Sequence, residues 1–506
     1  MTTTDVRDIS TEVVIAGAGP VGLLLAAELR RAKVPVVILE RLVSPMTESR
    51  ASQINTLTAE LLHERGFDAL LEEAAPEPMA HFGGLPFDIS SLDSQYAGNW
   101  KVPQYRTEAV FRQRAVRLDA FLLRGYELAE VAVAADHVLC TARGAGDDVR
   151  VRARYLVGCD GAKSTVRRLC GFTAAVTSAT RELLRADVTG LTIADRRFQR
   201  LDGGFATAGT RDGVTRVMVH AFGQAAAGRD EPPGFPEVVR VWEKVTGEDI
   251  SAGSAIWLDA FDNARGHVDA YRRGRVLLAG DAAHWHMPIG GQALNLGLQD
   301  AVNLGWKLAA VLNGWADPRL LDTYHDERHA VVARMLSYIA VQEEIMLGDA
   351  DMDAVRTVLA EVLRLDPVRE HLARVVSGLD DRYDPGGAPA ADGGAASALA
   401  GRRLPQLQLR NQHGSVITAG LATGTEPVVV RLTEQAAAAG AEITLAGGFR
   451  IRTFPAMPPG TEPFQGITAL LVRPDGYIAW AGDSEADLGR AISRWFGARG
   501  GSNGTV

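Results

Sequence analysis

The sequence is poor in cysteine, in net positive charge and in long apolar runs. Only Cys140, Cys159 and Cys170 occur in 506 residues. They are odd in number and show no C-x-x-C spacing. That argues against a disulfide framework and a dithiol redox site, and for a reducing, cytoplasmic setting. The formal net charge of −9 excludes the basic face a nucleic acid requires. No apolar stretch is long enough to span a membrane. The N-terminus lacks the basic and apolar regions of a secretory signal. No internal repeat is evident, and no nucleophilic triad or metal cage stands out. What is present is an ordinary globular composition, 46% hydrophobic and 23% charged, enough for two or three cores.

Residues 11–16 (TEVVIA) form a short apolar run rich in β-branched residues, the mark of a buried strand. Gly17-Ala-Gly-Pro-Val-Gly22 follows, then a helix-like stretch and a second strand over 34–40 (VPVVILE). This is a complete β-α-β unit. A helix is expected over 57–73, irregular or edge structure over 80–100, and a helix over 105–123. A hairpin is expected from 137–142 and 148–157. Strand-like pieces over 180–270 suggest a second sheet, and residues 320–375 are helical in character. A Gly/Ala stretch over 386–399 reads as a linker. Residues 401–506 then read as a small α/β domain.

Gly17, Gly19 and Gly22 make G-x-G-x-x-G between a strand and a helix. Gly17 permits the tight turn, Gly19 lets a pyrophosphate reach the backbone, and Gly22 allows close helix–strand packing. Pro20 is tolerated in a first helical turn, where N–H groups are spare. The helix N-terminus offers free donors and the positive end of its dipole to phosphate. Glu40 closes the second strand, where a carboxylate accepts from ribose hydroxyls and repels a 2′-phosphate. The bare glycine pattern is weak evidence; in its strand–turn–helix–strand–Glu context it is strong.

Two further pieces follow in order: LVGCDGAKSTVR over 156–167 and RVLLAGDAAHWHMPIGGQALN over 275–295. With these three motifs the chain resembles the FAD-dependent aromatic hydroxylases, the class A flavoprotein monooxygenases of the para-hydroxybenzoate hydroxylase type. It is most similar to the bacterial aromatic polyketide hydroxylases of the angucycline, anthracycline and tetracycline type. The resemblance covers nearly the whole chain. It implies a Rossmann-like FAD-binding domain (1–178 and 271–390), an inserted β-sheet substrate domain (179–270) and a thioredoxin-like C-terminal domain (401–506).

By resemblance, Gly17, Gly19, Pro20, Gly22 and Glu40 hold the ADP half of FAD, with Arg41 and Arg50 beside it. Gln104 and Arg114 lie along the ribityl and pyrophosphate. Asp160 and Gly161 touch FAD and a pyridine nucleotide, and Asp281 binds ribityl hydroxyls. Pro288, Gly290, Gly291, Gln292, Ala293, Leu294 and Asn295 seat the isoalloxazine. Arg382 resembles an arginine near flavin and substrate. One departure is SQINTLTAE over 52–60, where the subgroup often shows a His-x-Arg-Thr pattern.

The residues themselves support a flavin seat. Backbone N–H groups at a helix start stabilise the anionic reduced ring without a lysine. Glycines there let the backbone approach a planar ring, and Pro288 removes a donor that would need a partner.

Other residues have bland readings. His284 and His286 form H-x-H, but no further ligands cluster for a metal; His284 reads as structural, and Trp285 or His286 as facing the ring. Cys159 reads as a small buried hydrophobe. Asp300 and the charges of YHDERH (324–329) read as a solvated helix face. Met218, His220 and Phe222 alternate on a strand, so one face can line a substrate cavity or simply be core.

The expected activity is an FAD- and NAD(P)H-dependent monooxygenase in secondary metabolism. Through a flavin C4a-hydroperoxide it hydroxylates a phenolic, polycyclic aromatic substrate with O₂. Baeyer–Villiger oxygenation and a flavin-linked dehydrogenase are the alternatives. No second G-x-G-x-x-G cradle appears for NADPH or NADH. A monomer or homodimer is expected.

Overall fold

A computed structural model describes residues 6–47, 51–384, 398–405, 409–410, 416–417, 424–432, 442–444, 450–456 and 464–497. Residues 386–397 of the expected linker and Arg50 lie outside the described residues; residues 398–399 are described and are helical.

The β-α-β unit organises the first layer. Val13–Ala16 is buried on both faces, so its side chains are continuously apolar rather than alternating. It pairs in parallel with Val36–Glu40 and with Tyr155–Gly158. The six strands run in the order Arg272–Arg273, Val276–Leu278, Tyr155–Gly158, Val13–Ala16, Val36–Glu40, Phe121–Arg124. The helix Pro20–Arg31 packs on this sheet, and Gln292–Leu312 packs on that helix and on the Gly280–Ala282 turn.

The chain thus returns after more than a hundred residues to place the Gly280-Asp281 turn beside the first glycine turn. The order is that of a doubly wound sheet, whose ligands sit beyond the carboxyl ends of its strands.

Several boundaries differ from expectation, and the helix expected over 57–73 ends at Glu64. The helix expected over 105–123 stops at Arg117, and Phe121–Arg124 forms the edge strand beside Val36–Glu40. Asp119, at φ 66°, breaks the helix. The hairpin forms between Val138–Arg143 and Asp148–Ala153, but Tyr155–Gly158 leaves it for the central sheet. Residues 180–270 do build a second sheet. It has five antiparallel strands, with Phe235–Thr246 packed on one face through Val238, Val241 and Trp242.

Val217, Val219 and Ala221 face that helix, so Met218 projects from the other face. There it joins a cluster with Leu183, Phe205, Met287 and Ile289.

Beyond residue 424, a mixed sheet carries the helix Glu485–Phe496. Val428–Leu432 pairs in parallel with Arg450–Ala456 and antiparallel with Ala469–Val472, the arrangement of a thioredoxin-like unit.

The largest correction concerns charge. Asp300 and Arg328 are 0% exposed and Glu327 is 4% exposed, so they are core rather than a solvated face. The long helix Gln292–Leu312 is enclosed on all sides, and its polar residues bond mainly to groups on other elements. Asp300 binds Arg328 Nε and His284 Nε2, each at 2.7 Å. Of the acidic residues in 324–329, only Asp326 reaches solvent.

Candidate active site

A single cleft of about 430 Å³ runs along the carboxyl ends of the central strands, within the usual range for small-molecule sites. It joins the two separated motifs. Gly17, Gly19 and Pro20 line it together with Asp160, Asp281 and Pro288. Glu40, Arg41 and Gln104 stand along one stretch, and Gly161, His286, Ala293 and Leu294 along another. The inserted sheet contributes Phe261.

Each motif has a local cause. Gly17 has φ 103°, and a Cβ there would lie 2.3 Å from the Cys159 carbonyl oxygen. The glycine turn and the Cys159-Asp160 turn can therefore meet only if position 17 has no side chain. At Gly19 a Cβ would meet nothing within 4 Å, so bare backbone faces open space. Glu40 is held by the Ala18 N–H at 2.7 Å and the Leu42 N–H at 2.8 Å.

Asp160 spends its carboxylate on the short helix Thr165–Leu169. It accepts from Ser164 Oγ at 2.5 Å and from the Val166 N–H at 3.0 Å. Its part in the cleft is to shape the turn.

The seat is built at Pro288–Gly291. Gly290 and Gly291 both have φ 68°, the left-handed region that glycine enters without strain. This reversal starts the Gln292–Leu312 helix with its first turn at the cleft, where Ala293 and Leu294 line the wall. The first-turn N–H groups of a helix have no partner one turn earlier.

Gln292 and Asn295 are buried and act from behind. Gln292 Nε2 donates to the Val376 carbonyl at 3.0 Å, and Asn295 Nδ2 donates to the Gly291 carbonyl at 2.7 Å. His286 Nδ1 contacts the Met287 carbonyl at 2.7 Å. Burial, aided by His284, pulls its imidazole down to about 4, so it is neutral near pH 7. Burial raises the Cys159 thiol well above its usual range, and it stays protonated.

Several expected residues stand elsewhere. Gly22 is packing rather than lining: a Cβ would lie 2.1 Å from the Gly17 carbonyl oxygen. Arg114 turns away from the cleft, donating to the Gly66 carbonyl at 2.7 Å and stacking over Phe67. Arg382 is exposed, because its bridge to Arg402 turns Asp381 and Tyr383 inward and the arginine outward.

His220 is buried, with Nδ1 at the Glu182 carbonyl. Phe222 lies under the Arg200 guanidinium. Neither lines this cleft. Trp285 is stacked by Arg167 at 4.3 Å. Glu108, Arg124 and Tyr126 do line the cleft and were not anticipated. The one usable signal was Arg124, at the end of a strand in register with Glu40.

The arrangement fits FAD. Open space at Gly19, an oriented carboxylate at Glu40 and a helix start at Pro288 suit a diphosphate, a ribose and an anionic ring in that order. Residues 10–338 match the FAD binding domain family, and residues 397–498 match the aromatic-ring hydroxylase C-terminal family. The chain belongs to the FAD-binding aromatic-ring hydroxylases. It is a flavin-dependent monooxygenase.

The structure of CabE, an aromatic hydroxylase from angucycline biosynthesis, aligns with a TM-score of 0.88 at 40% identity. The match covers 97% of this chain and 100% of that one. The 12-dehydrotetracycline 5-monooxygenase/anhydrotetracycline 6-monooxygenase of Streptomyces rimosus is 36% identical over 96% of this chain and 99% of its own length. The dialkyldecalin synthase of Streptomyces rugosporus is 34% identical, covering 97% and 99%. Among the described residues no helix is long and apolar enough to cross a membrane, and no group of three or more His, Cys, Asp or Glu could hold a metal ion.

Proposed function

We infer that the chain hydroxylates a polycyclic aromatic phenol of polyketide type, using NADPH or NADH as a transient reductant and O₂ as the oxygen source. The reading is carried by one observation: a single cleft contains both Gly19 and Pro288 and reaches Phe261 on the inserted sheet. The substrates named for the tetracycline and angucycline relatives favour a fused-ring phenol.

When bound, the flavin supplies electron transfer from the nicotinamide and activation of O₂. Gly17, Gly19, Glu40 and Asp281 would hold its nucleotide and ribityl parts, beside the turn that Asp160 shapes. The helix start at Gln292 would face the ring. N–H dipoles there stabilise negative charge without carrying a titratable proton.

Phe261 and Leu294, which line the cleft, would exclude water from the reacting centre and face a flat aromatic; the buried cluster of Leu183, Phe205, Met287 and Ile289 backs Phe261. His286, neutral near pH 7, adds no competing positive charge.

The test is oxygen uptake coupled to NADPH oxidation by the purified yellow protein, with mass spectrometry of the product. A polycyclic phenol should stimulate uptake and gain one oxygen as a hydroxyl. A lactone product would instead establish Baeyer–Villiger oxygenation. A rearranged carbon skeleton without oxygen uptake would match the cyclisation suggested by the dialkyldecalin synthase.

A further inference from the structure

Residues 51–55 include none of the groups assigned to FAD, yet they dock onto the turn that seats it. Gln53 Nε2 donates to the Gly290 carbonyl at 3.2 Å. Asn295 Nδ2 donates to the Gln53 carbonyl at 3.0 Å, and Asn295 Oδ1 accepts from the Asn55 N–H at 3.0 Å. A Cβ on Gly291 would lie 2.9 Å from Gln53 Nε2. The glycine therefore serves two ends: it takes the left-handed turn and it admits this side chain.

The Gln53 amide is itself oriented. Lys101 sits directly opposite on the paired strand, and its Nζ donates to Gln53 Oε1 at 2.9 Å. An ammonium group has only donors. The amide oxygen must face it, and the NH₂ must face Gly290. A charged donor on the oxygen also polarises the amide and strengthens the N–H bond on its other side. The carboxylate in reach of Lys101, that of Glu77, stands at 3.8 Å, so the Gln53 amide is the nearer partner.

We propose that Gln53 and Lys101 are positioning residues for the flavin. Acting in series, they fix the Gly290-Gly291 turn so that the first-turn N–H groups of the Gln292–Leu312 helix meet negative charge on the reduced ring. The proposal rests on the FAD reading above. It assigns a task to the SQIN segment, which stands where the subgroup's pattern differs. Neither residue lines the cleft, so both act through Gly290.

The test is the midpoint potential of the flavin in the holoenzyme, measured by spectroelectrochemistry without substrate. Gln53→Leu removes this donor and leaves the Gly290 carbonyl with Gln292 Nε2 at 3.3 Å. Gln53→Glu keeps the size and the Lys101 contact but cannot donate to Gly290. Each should shift the balance of reduced to oxidised flavin about tenfold toward the oxidised form, or roughly 30 mV more negative for a two-electron couple.

Lys101→Met should move the potential the same way by less. That shift should vanish in the Gln53→Leu background, because the two side chains act in series. Wild-type potentials in both Gln53 variants would overturn the proposal. Strictly additive Lys101 and Gln53 shifts would also overturn it, because they would show a direct charge effect. A wild-type protein that binds no FAD would instead defeat the cofactor reading.

Discussion

Gly19→Glu separates the fold from its cofactor. At Gly19 the backbone is ordinary, with φ −74° and ψ 179°, and a Cβ meets nothing within 4 Å. The new side chain strains nothing and displaces nothing in the empty protein. Folding stability should stay within about 0.5 kcal/mol of wild type.

In the FAD complex the same carboxylate shares the cleft with a diphosphate. Two unit charges about 4 Å apart at an effective dielectric near 20 repel by about 4 kcal/mol, or roughly a thousandfold in affinity. Gly22→Ala is the contrasting control. Its Cβ would lie 2.1 Å from the Gly17 carbonyl oxygen, so it should lose thermal stability and FAD together.

The assays are the melting temperature of the stripped protein and the bound-flavin absorbance near ~450 nm. A Gly19→Glu protein that purifies yellow with full occupancy would refute the cradle. One that melts far below wild type would refute the claim that position 19 faces open space.

Two further perturbations test the buried charges. Asp300→Asn leaves the fully buried Arg328 guanidinium beside a neutral amide. Urea unfolding should show a loss of about 3–5 kcal/mol; a loss under ~1 kcal/mol would mean the pair does not hold the turn. Glu327 gives a pH signature. Burial pushes its carboxyl up, but Arg473 and Lys307 prevail and hold it at about 2, against 4.5 when unpaired. A depressed carboxylate stabilises the fold above its unfolded pKa and loses that contribution as pH falls through its folded one. The stability gap between wild type and Glu327→Gln should be constant above pH 4.5 and shrink toward pH 2, having been worth roughly 3 kcal/mol. A gap unchanged across that range would refute the assignment.

The parts of the site that were legible in the sequence are those whose backbone demands a residue type. Gly17, Gly290 and Gly291 occupy positive φ, so glycine is imposed there and its spacing can be read. Glu40 ends one strand and Asp281 lies in the turn just past another, and both apolar runs are equally plain. Side-chain direction was not legible. Arg114 and Arg382 have the right chemistry, but helix phase and a β-bridge turn them away. Asp300, Glu327 and Arg328 look like surface charge because a single helix gives no sign of what covers it. Arg473 and Tyr477 of the C-terminal unit close over Glu327 and over the Tyr383 beside Arg328, and the Gly280–His284 turn closes over Asp300. Gln53 escaped notice for a related reason: its partner Gly290 is 237 residues away.

That burial links two charge clusters through consecutive residues of one helix, Asp322–Leu347. Glu327 accepts from Arg473 and from Lys307 Nζ at 2.7 Å, so it is fixed by the C-terminal unit. Burial pulls Lys307 down to about 8 even beside this carboxylate, so Arg473 is the stronger partner. Arg328 faces the other way. Its Nε grips Asp300, whose second oxygen accepts the Gly280 N–H at 3.0 Å. Gly280 is the residue before Asp281 in the cleft. The guanidinium also reaches the Tyr383 hydroxyl at 3.2 Å, and Tyr383 stacks on Tyr477 of the C-terminal unit. Glu327 and Arg328 are adjacent on one helix, so the contacts to Arg473 and to Asp300 are anchored at neighbouring positions of a single element. Among the described residues, none of the C-terminal unit lines the cleft, but the unit holds the rear of the frame on which the cleft is built.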